Sequence, residues 1–198
     1  MTQRNRGDRA AVRLLALGGS TRAGSSSEEA LRVAASCAEK SGAVVEVLAG
    51  PALVLPIYQP ESPVRCDEAR ALTAAVRRAD GLLIASPGYH GTVSGMIKNA
   101  LDYIADLHDE ERVYLDGLPV GCIAVAHGWQ AAVSTLHNLR VAVHALRGWP
   151  TPLGAALNTA QPAIGATDSR IDESSRRQLE TIAGQVMDFA TARLPVHS

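Results

Sequence analysis

The stretch from Gly81 to Leu107 constrains the fold of this chain more than any other part of the sequence. It begins with a short apolar run, residues 82–85, which is typical of a strand buried on both faces. The Ser-Pro-Gly run at 86–88 is expected to end the strand, because proline lacks an N–H donor and glycine tolerates positive φ. From about Ser94 the apolar residues recur with a helical period. A strand, a glycine-rich turn and a helix N-terminus place free N–H groups at the carboxyl end of a sheet, where open α/β folds bind ligands.

The predicted helix over residues 94–107 has an apolar surface wider than one sheet-facing stripe. At 100° per residue its apolar positions cover about 160° of the helix circumference. We therefore expect this helix to pack against the sheet and a second surface, for which a second subunit is the candidate. Lys98 and Asp102, on the polar side, predict an ion pair at the surface or between subunits. The apolar positions are Met96, Ile97, Ala100, Leu101, Tyr103, Ile104 and Leu107.

Strand and helix patterns alternate along the rest of the chain. This alternation predicts one α/β domain over residues 11–192, with a five-stranded parallel sheet between helices, preceded by a flexible tail at 1–10 and followed by a C-terminal tail at 193–198. Strands are predicted at 12–17, 44–48, 81–85, 119–126 and, interrupted by proline, 149–157; helices at 26–40, 67–78, 94–107, 130–146 and 172–192, with a loop at 158–170. Residues 109–112 predict a solvated charged turn. On the fourth helix, the residues predicted to face inward are Val133, Leu136, Leu139 (or Arg140), Val143 and Leu146.

Composition excludes several classes of function. The net charge of −1 over 198 residues gives no electrostatic reason to expect nucleic acid or an anionic membrane, and no stretch approaches the length of a membrane span. The three cysteines are far apart and show no metal spacing, as expected of thiols in a reducing compartment. Residues 1–10 are polar and lack the apolar region of a secretory signal. We therefore expect a cytoplasmic protein without a metal site.

The loop after the first strand is rich in hydroxyl groups. A phosphate monoester is a compact dianion that requires several converging donors, and hydroxyls, one guanidinium and the N–H groups of a helix start provide them here. The patterns that bind a dinucleotide pyrophosphate or a triphosphate are absent. The same residues also suit a serine-rich helix cap without a ligand, so the loop alone leaves both interpretations open. The candidate phosphate-binding residues are Ser20, Thr21, Arg22, Ser25, Ser26 and Ser27.

The two segments together resemble the NAD(P)H-dependent FMN reductase family of flavodoxin-like proteins. The second loop of that family reads roughly (Ser/Thr)-Pro-Glu-Tyr-Asn-(Gly/His)-x-x-x-Gly-x-(Leu/Ile)-Lys-Asn-Ala-(Leu/Ile)-Asp. Here Gly88 replaces the usual glutamate and His90 replaces the usual asparagine. The resemblance covers roughly residues 12–157, and two motifs about one βαβ unit apart make it specific. The matching positions are Ser86, Pro87, Tyr89, Gly91, Gly95 and 97–102.

The resemblance implies an α/β, flavodoxin-like three-layer sandwich, with strand order 2-1-3-4-5 and a flavin site where the first and third strands separate. It implies that FMN is held by its phosphate at Ser20, Arg22, Ser25 and Ser27. The backbone of the second loop would then hold the flavin ring. A turn without a ligand remains the alternative for that loop. The implied ring-binding residues are Ser86, Pro87, Gly88, Tyr89, His90 and Gly91.

A third loop, formed by His127, Gly128 and Trp129, occupies the place where family members have a glycine-containing loop that touches the flavin. Trp129 is expected either to stack near the ring or to pack on the following helix. For His90, hydrogen bonding is favoured over proton donation. No side chain is predicted to be catalytic, because the flavin N5 carries the chemistry.

The resemblance implies an FMN-dependent oxidoreductase that takes hydride from NAD(P)H as co-substrate. The electron acceptor would be a quinone, an azo compound or free flavin, the last passed on to a partner flavin-dependent monooxygenase. A homodimer or homotetramer is implied, with the loop Leu53–Tyr58 and the helix 94–107 at the interface. Three alternatives stay open: an FMN-dependent dehydrogenase of a dedicated biosynthetic intermediate, a flavodoxin-like electron carrier, and a regulatory module without flavin.

Overall fold

The computed structural model describes residues 11–160 and 171–194. The predicted N-terminal tail, most of the C-terminal tail and most of the loop predicted at 158–170 lie outside the described residues. The strands are β1 (Arg13–Gly18), β2 (Val44–Ala49), β3 (Gly81–Tyr89), β4 (Thr92–Val93), β5 (Pro119–Ala126), β6 (Trp149–Pro150) and β7 (Ala155–Asn158). The α-helices are α1 (Ser26–Lys40), α2 (Asp67–Arg78), α3 (Gly95–Asp102), α4 (Trp129–Ala145) and α5 (Glu173–Arg193). Gly50–Leu53 and Tyr103–Leu107 are short 3₁₀ helices.

The sheet has parallel strands in the order β2-β1-β3-β5, and both β6 and β7 pair with β5 in parallel. Helices α1 and α5 pack on one face, whereas α2, α3 and α4 pack on the other. The flavodoxin-like three-layer prediction is confirmed, although the described residues form seven strands rather than five. One extra strand arises because Thr151–Gly154, which include Pro152, interrupt the predicted fifth strand. The other is β4.

The expectation that Ser86, Pro87 and Gly88 end the third strand is wrong. β3 continues to Tyr89, because β5 pairs with it as far as Pro87 and the antiparallel β4 pairs with its last two residues. β1 pairs with β3 only as far as Ala85, so Ser86 and Pro87 have no strand partner on that side. A proline is tolerated at such an edge, since no ladder hydrogen bond is lost there.

The apolar surface of helix 94–107 is covered by this chain itself. The α-helix ends at Asp102 and continues as the 3₁₀ helix, and Ala100, Tyr103 and Leu107 are buried. The segment 53–58 supplies the cover, with Leu53, Leu55 and Tyr58 in the same core. The width of this surface therefore gives no argument for a second subunit.

Two other expectations from the sequence are wrong in detail. On α4, Val133 is exposed, because the buried stripe consists of Ala132, Thr135, Leu139 and Val143. In the predicted charged turn, Arg112 is not solvated like its neighbours: its guanidinium donates to the carbonyls of Val76, Arg77 and Ala79. Arg112 therefore supplies donors to carbonyl groups at and just beyond the C-terminal end of α2, of which Val76 also accepts from the Ala79 N–H.

A half-buried polar cluster fastens the segment 54–66 to α3 and the 3₁₀ helix. Arg65 donates to both carboxylate oxygens of Asp106, at 2.6 and 2.9 Å, and the Tyr58 hydroxyl donates to the same carboxylate at 3.2 Å. The Asn99 amide accepts from the Tyr58 N–H at 2.9 Å and donates to the Pro56 carbonyl at 2.8 Å. The proline-rich segment is thus held by side chains rather than by a sheet.

Stability should depend on pH through Asp106. The hydrogen bonds from Arg65 hold the pKa of Asp106 below its ordinary value. A lowered folded-state pKa adds stability above the unfolded-state value of about 3.9, and this contribution is lost as the pH falls through the folded-state pKa. We expect Asp106→Asn to lower the free energy of unfolding by about 1–3 kcal/mol at pH 7 and by less near pH 3, measured by urea denaturation.

The matched control for Asp106→Asn is Glu110→Gln. Glu110 is the partner of Arg77 in an exposed ion pair, which we expect to contribute less than about 1 kcal/mol. A deficit for Asp106→Asn that is equal at both pH values would contradict the proposed titration of this cluster.

Candidate functional site

The loops singled out from the sequence meet at the carboxyl edge of the sheet. β1 and β3 are neighbours, but the chain leaves β1 for α1 on one face and leaves β3 for α3 on the other. Such a divergence of two adjacent connections opens a crevice, and this is the ligand position in open α/β sheets. The loop after β5 lies next to it, since β5 is the other neighbour of β3.

Ser94, Ser86 and Gly19 join the first and second loops. The Ser94 hydroxyl donates to the Gly19 carbonyl at 2.8 Å and caps α3 by accepting from the Ile97 N–H. The Ser94 N–H donates to the Ser86 hydroxyl at 2.9 Å. All three hydroxyl and carbonyl groups lie in buried surroundings, so the two loops behave as one rigid unit. The Ser86 side chain therefore fixes Ser94 within the second loop and is turned away from solvent.

The hydroxyls of the first loop are partly engaged with their own backbone. Ser25 is the N-cap of α1, accepting from the Glu28 N–H, and its Oγ lies 3.2 Å from that of Ser27. Ser20 accepts from the Arg22 N–H at 3.2 Å. The helix cap considered from the sequence is thus present. It leaves room for an anion, because the first N–H groups of α1, on Ser26 and Ser27, have no intrahelical acceptor.

Arg22 is exposed at the entrance of this loop, next to the exposed Thr21. Within residues 11–160 and 171–194, no carboxylate lies within ion-pair distance of the Arg22 guanidinium. The nearby Glu28 is already paired with Arg32 at 2.7 Å. The loop therefore places an exposed guanidinium a few residues before a helix N-terminus, and both features favour an anionic group.

The second loop is a β-hairpin, which the sequence interpretation missed. Gly88 pairs with Val93 and Tyr89 with Thr92, so His90 and Gly91 form a two-residue turn. Both turn residues have positive φ, 52° and 81°. A two-residue turn of this kind requires left-handed backbone at both positions, and histidine is among the side chains enriched there. The exposed side chains of Tyr89 and His90 extend from the hairpin.

The hairpin rests on α4. The Thr135 hydroxyl donates to the Thr92 carbonyl at 3.2 Å, and the Asn138 amide donates to the Gly91 carbonyl at 3.0 Å. At Gly88 a Cβ atom would lie 2.6 Å from Thr135 Oγ1, so the glutamate usual in the family does not fit here without rearrangement. Neither Thr135 nor Asn138 belongs to a motif, and a threonine in the apolar stripe of α4 was the only signal in the sequence.

The third loop leads directly into α4. Gly128 is its N-cap, with φ of 113°, and no side chain caps the helix. The Gly128 N–H donates to Asn158 Oδ1 at 2.8 Å, which connects this loop to the end of β7. His127 is exposed and Trp129 is 51% exposed, so the indole is not packed within the core. Asn158 was not found from the sequence, because strand ends give no signal for cross-loop partners.

The family model described as NADPH-dependent FMN reductase matches residues 12–161. The chain belongs to this family. An NADPH azoreductase of Bacillus sp. (strain OY1-2) is 33% identical over 90 residues, which are 45% of this chain and 47% of that protein. An FMN-dependent NADPH-azoreductase of Staphylococcus aureus (strain USA300) is 32% identical over 113 residues, 56% of each chain. The chain thus spans about half the length of the curated relatives it matches.

Solved structures agree on the fold of this FMN reductase family member. A flavoenzyme NAD(P)H:(acceptor) oxidoreductase from Paracoccus denitrificans superposes with a TM-score of 0.73, covering 93% of this chain and 100% of the other. At 20% sequence identity this likeness shows the fold alone. In the described part of the FMN reductase chain, no helix has the length and hydropathy of a membrane span. Nor do its described His, Cys, Asp and Glu residues form a metal-binding group.

The site of this FMN reductase family member fits an FMN by the character of its donors. Cβ atoms added at Gly24 in the first loop, Gly95 at the start of α3 and Gly128 in the third loop would meet nothing within 4 Å, so the chain faces open space at these three positions. By contrast, Gly19 and Gly88 are tightly packed and serve the framework. Hydroxyls, Arg22 and a helix N-terminus at one end suit a phosphate, and uncharged backbone at the other suits a flat ring.

Proposed function

We propose that this protein is an FMN-dependent oxidoreductase that takes hydride from NAD(P)H and passes the electrons to a small-molecule acceptor. The observation that carries the proposal is the Ser94–Gly19 hydrogen bond, which joins an anion-attracting loop and a hairpin in one rigid site. When bound, FMN supplies the redox chemistry at N5. This chain would bind the phosphate at Ser20, Thr21, Arg22, Ser25, Ser26 and Ser27, and the ring at 86–91 and 127–129.

No side chain of the site is assigned an acid–base role. His90 is placed in its turn by backbone conformation, and its position follows from the positive φ that the hairpin requires. The protein's contribution is to bind and orient the cofactor and to leave one face open for NAD(P)H and then for the acceptor. Alternate use of one face by two substrates predicts ping-pong kinetics.

The relatives named as azoreductases support an azo compound as acceptor, and quinones and free flavin belong to the same class of electron acceptors. The test begins with purified protein titrated with FMN. We expect one FMN per chain, bleaching of the flavin absorbance by NADPH or NADH under anaerobic conditions, and recovery on adding an azo dye, a quinone or free FMN. Parallel lines in double-reciprocal plots would support ping-pong kinetics, in which NAD(P)H and the acceptor bind alternately.

The same titration separates the alternatives. Bound FMN that no nicotinamide reduces would overturn the proposed activity in favour of a dedicated dehydrogenase or an electron carrier. If the protein binds no FMN at saturating concentration, the proposed oxidoreductase activity is overturned and only the description of the fold stands. Transfer to a flavin-dependent monooxygenase would appear as acceleration of that enzyme by this protein with NAD(P)H and free FMN.

We also propose a homodimer or homotetramer in the cytoplasm. Apolar side chains that are 51% to 79% exposed occur on the segment 54–64 and on α4: Val54, Ile57, Val64, Trp129, Val133 and Val141. Burial of these groups between copies would remove exposed apolar surface near the site. Sedimentation that shows only monomer would contradict this proposal. The free thiols of Cys37, Cys66 and Cys122 support a reducing compartment.

A further inference from the structure

Thr135 is a fully buried polar residue on the inward face of α4. Its hydroxyl donates to the Thr92 carbonyl at 3.2 Å, and one turn later the Asn138 amide donates to the Gly91 carbonyl at 3.0 Å. Two donors on one helix thus bind the carbonyls of consecutive residues in the 88–93 hairpin. A two-stranded hairpin is marginal in isolation, so contacts of this kind decide where it lies.

The base of the hairpin fits α4 closely. A Cβ atom at Gly88 would lie 2.6 Å from Thr135 Oγ1, 2.9 Å from the Ala126 Cβ and 3.4 Å from the Ala131 carbonyl oxygen. Only a residue without a side chain allows the strand to approach the helix this far. Gly88 and Thr135 are therefore complementary: the absence of a side chain on β3 lets the hydroxyl on α4 reach β4.

Helix α4 also fixes the third loop, because it begins at Trp129 immediately after Gly128. One helix thus holds the hairpin through Thr135 and Asn138 and positions residues 127–129 through its own N-terminus. We propose that Thr135 and Asn138 are positioning residues that hold the 88–93 hairpin in the geometry required to bind the flavin ring, with α4 setting the second and third loops relative to each other. This inference rests on the proposed function.

The variant that tests it is Thr135→Val, which replaces the hydroxyl with a methyl group of similar size. Loss of one hydrogen bond of ordinary strength predicts an affinity for FMN that is about 3- to 10-fold lower, measured by quenching of flavin fluorescence. Riboflavin, which lacks the phosphate, should lose affinity by the same factor, because the hairpin serves the ring. In the unliganded Thr135→Val variant, amide hydrogen exchange at residues 89–93 should be faster than in the unliganded wild type.

Thr135→Ser retains the hydroxyl and should restore both affinity and exchange protection. Asn138→Ala should show a smaller effect in the same direction, since its contact is exposed and water replaces the lost donor. His137→Ala is the matched control: this exposed neighbour on α4 makes no hydrogen bond to the hairpin, and both readouts should remain at wild-type values.

The outcomes separate this inference from the proposed function. Wild-type protein that binds neither FMN nor riboflavin overturns the proposed function and this inference with it. Wild-type protein that binds both, with a Thr135→Val variant of equal affinity and equal exchange at 89–93, overturns the positioning role alone. A Thr135→Val variant that only melts at a lower temperature, with unchanged flavin affinity, assigns Thr135 to stability and also overturns it.

Discussion

Replacing Gly19 with alanine is expected to abolish FMN binding and to lower the free energy of unfolding by about 3–5 kcal/mol. A Cβ atom at this position would lie 2.2 Å from Ile97 Cγ1 and 2.8 Å from Ser94 Oγ. Ile97 is fully buried, so it has no empty space to move into. The added methyl group must therefore push β1 and α3 apart, at the point where the first and second loops are joined.

The displacement would also break a specific contact. The Ser94 hydroxyl donates to the Gly19 carbonyl, and the Gly19 N–H donates to the Ala85 carbonyl at 2.9 Å. A shift of a few tenths of an ångström weakens both hydrogen bonds in a buried setting, where unsatisfied groups cost about 1–3 kcal/mol each. Thermal unfolding should show a melting temperature lower by about 10 °C, and FMN titration should show no saturable binding.

Gly184→Ala is the matched control for Gly19→Ala. Gly184 lies within α5, and a Cβ atom there would meet nothing within 4 Å. Alanine in a helix interior is favoured over glycine by about 0.5–1 kcal/mol, so this variant should be at least as stable as wild type and bind FMN normally. Wild-type melting and binding in Gly19→Ala would show that the loops are not rigidly joined through Gly19.

The elements with strong periodicity could be predicted from the sequence, because their own residues determine them. The alternation of apolar runs and amphipathic stretches predicts the main parallel strands and all five α-helices, although β3 extends to Tyr89 beyond its predicted end at 85 and α3 ends at Asp102 before its predicted end at 107. Local chemistry also predicts the start of α1, since Ser25 caps it as serine commonly does. Lys98 and Asp102, four residues apart on α3, form the expected exposed ion pair at 2.5 Å.

The features that were missed depend on partners distant in sequence. The proline at 87 indicates a strand end when read locally, yet β3 continues because β4 and β5 pair with it. Likewise, the wide apolar surface of helix 94–107 made a second subunit the candidate for its cover, but the segment 53–58 of the same chain covers it. A helical period shows that a surface is buried, but it carries no information on which part of the chain covers it.

In the candidate site too, some residues could be predicted from the sequence and others depend on partners distant in sequence. Its hydroxyls, glycines and arginine stand out in the sequence because they cluster within a few residues between a strand and a helix. The groups that hold them, Thr135, Asn138 and Asn158, are ordinary polar residues on other elements. They are found only by identifying the hydrogen-bond partners of the hairpin carbonyls and of the Gly128 N–H in the structure.

Arg22→Ala is expected to weaken FMN binding by about 10- to 100-fold while leaving riboflavin binding unchanged. Arg22 is exposed and has no ion-pair partner among the described residues, so its guanidinium is available to an anion without first breaking another contact. Hydrogen bonds to charged groups contribute about 1.5–3 kcal/mol, which corresponds to this loss of affinity. Riboflavin has no phosphate, so it reports whether the effect is confined to the anionic end.

Salt concentration provides a second measurement, because ions screen attraction between exposed charges. FMN affinity of the wild type should fall as salt is raised, and that of Arg22→Ala should fall less. Arg78→Ala, which removes an equally charged side chain from an exposed ion pair with Glu46, controls for net charge and should bind FMN like wild type. If Arg22→Ala lowered the affinity for FMN and riboflavin equally, the phosphate would not be bound at this loop. If it lowered neither, the anion would be held by the hydroxyls and the α1 N-terminus alone.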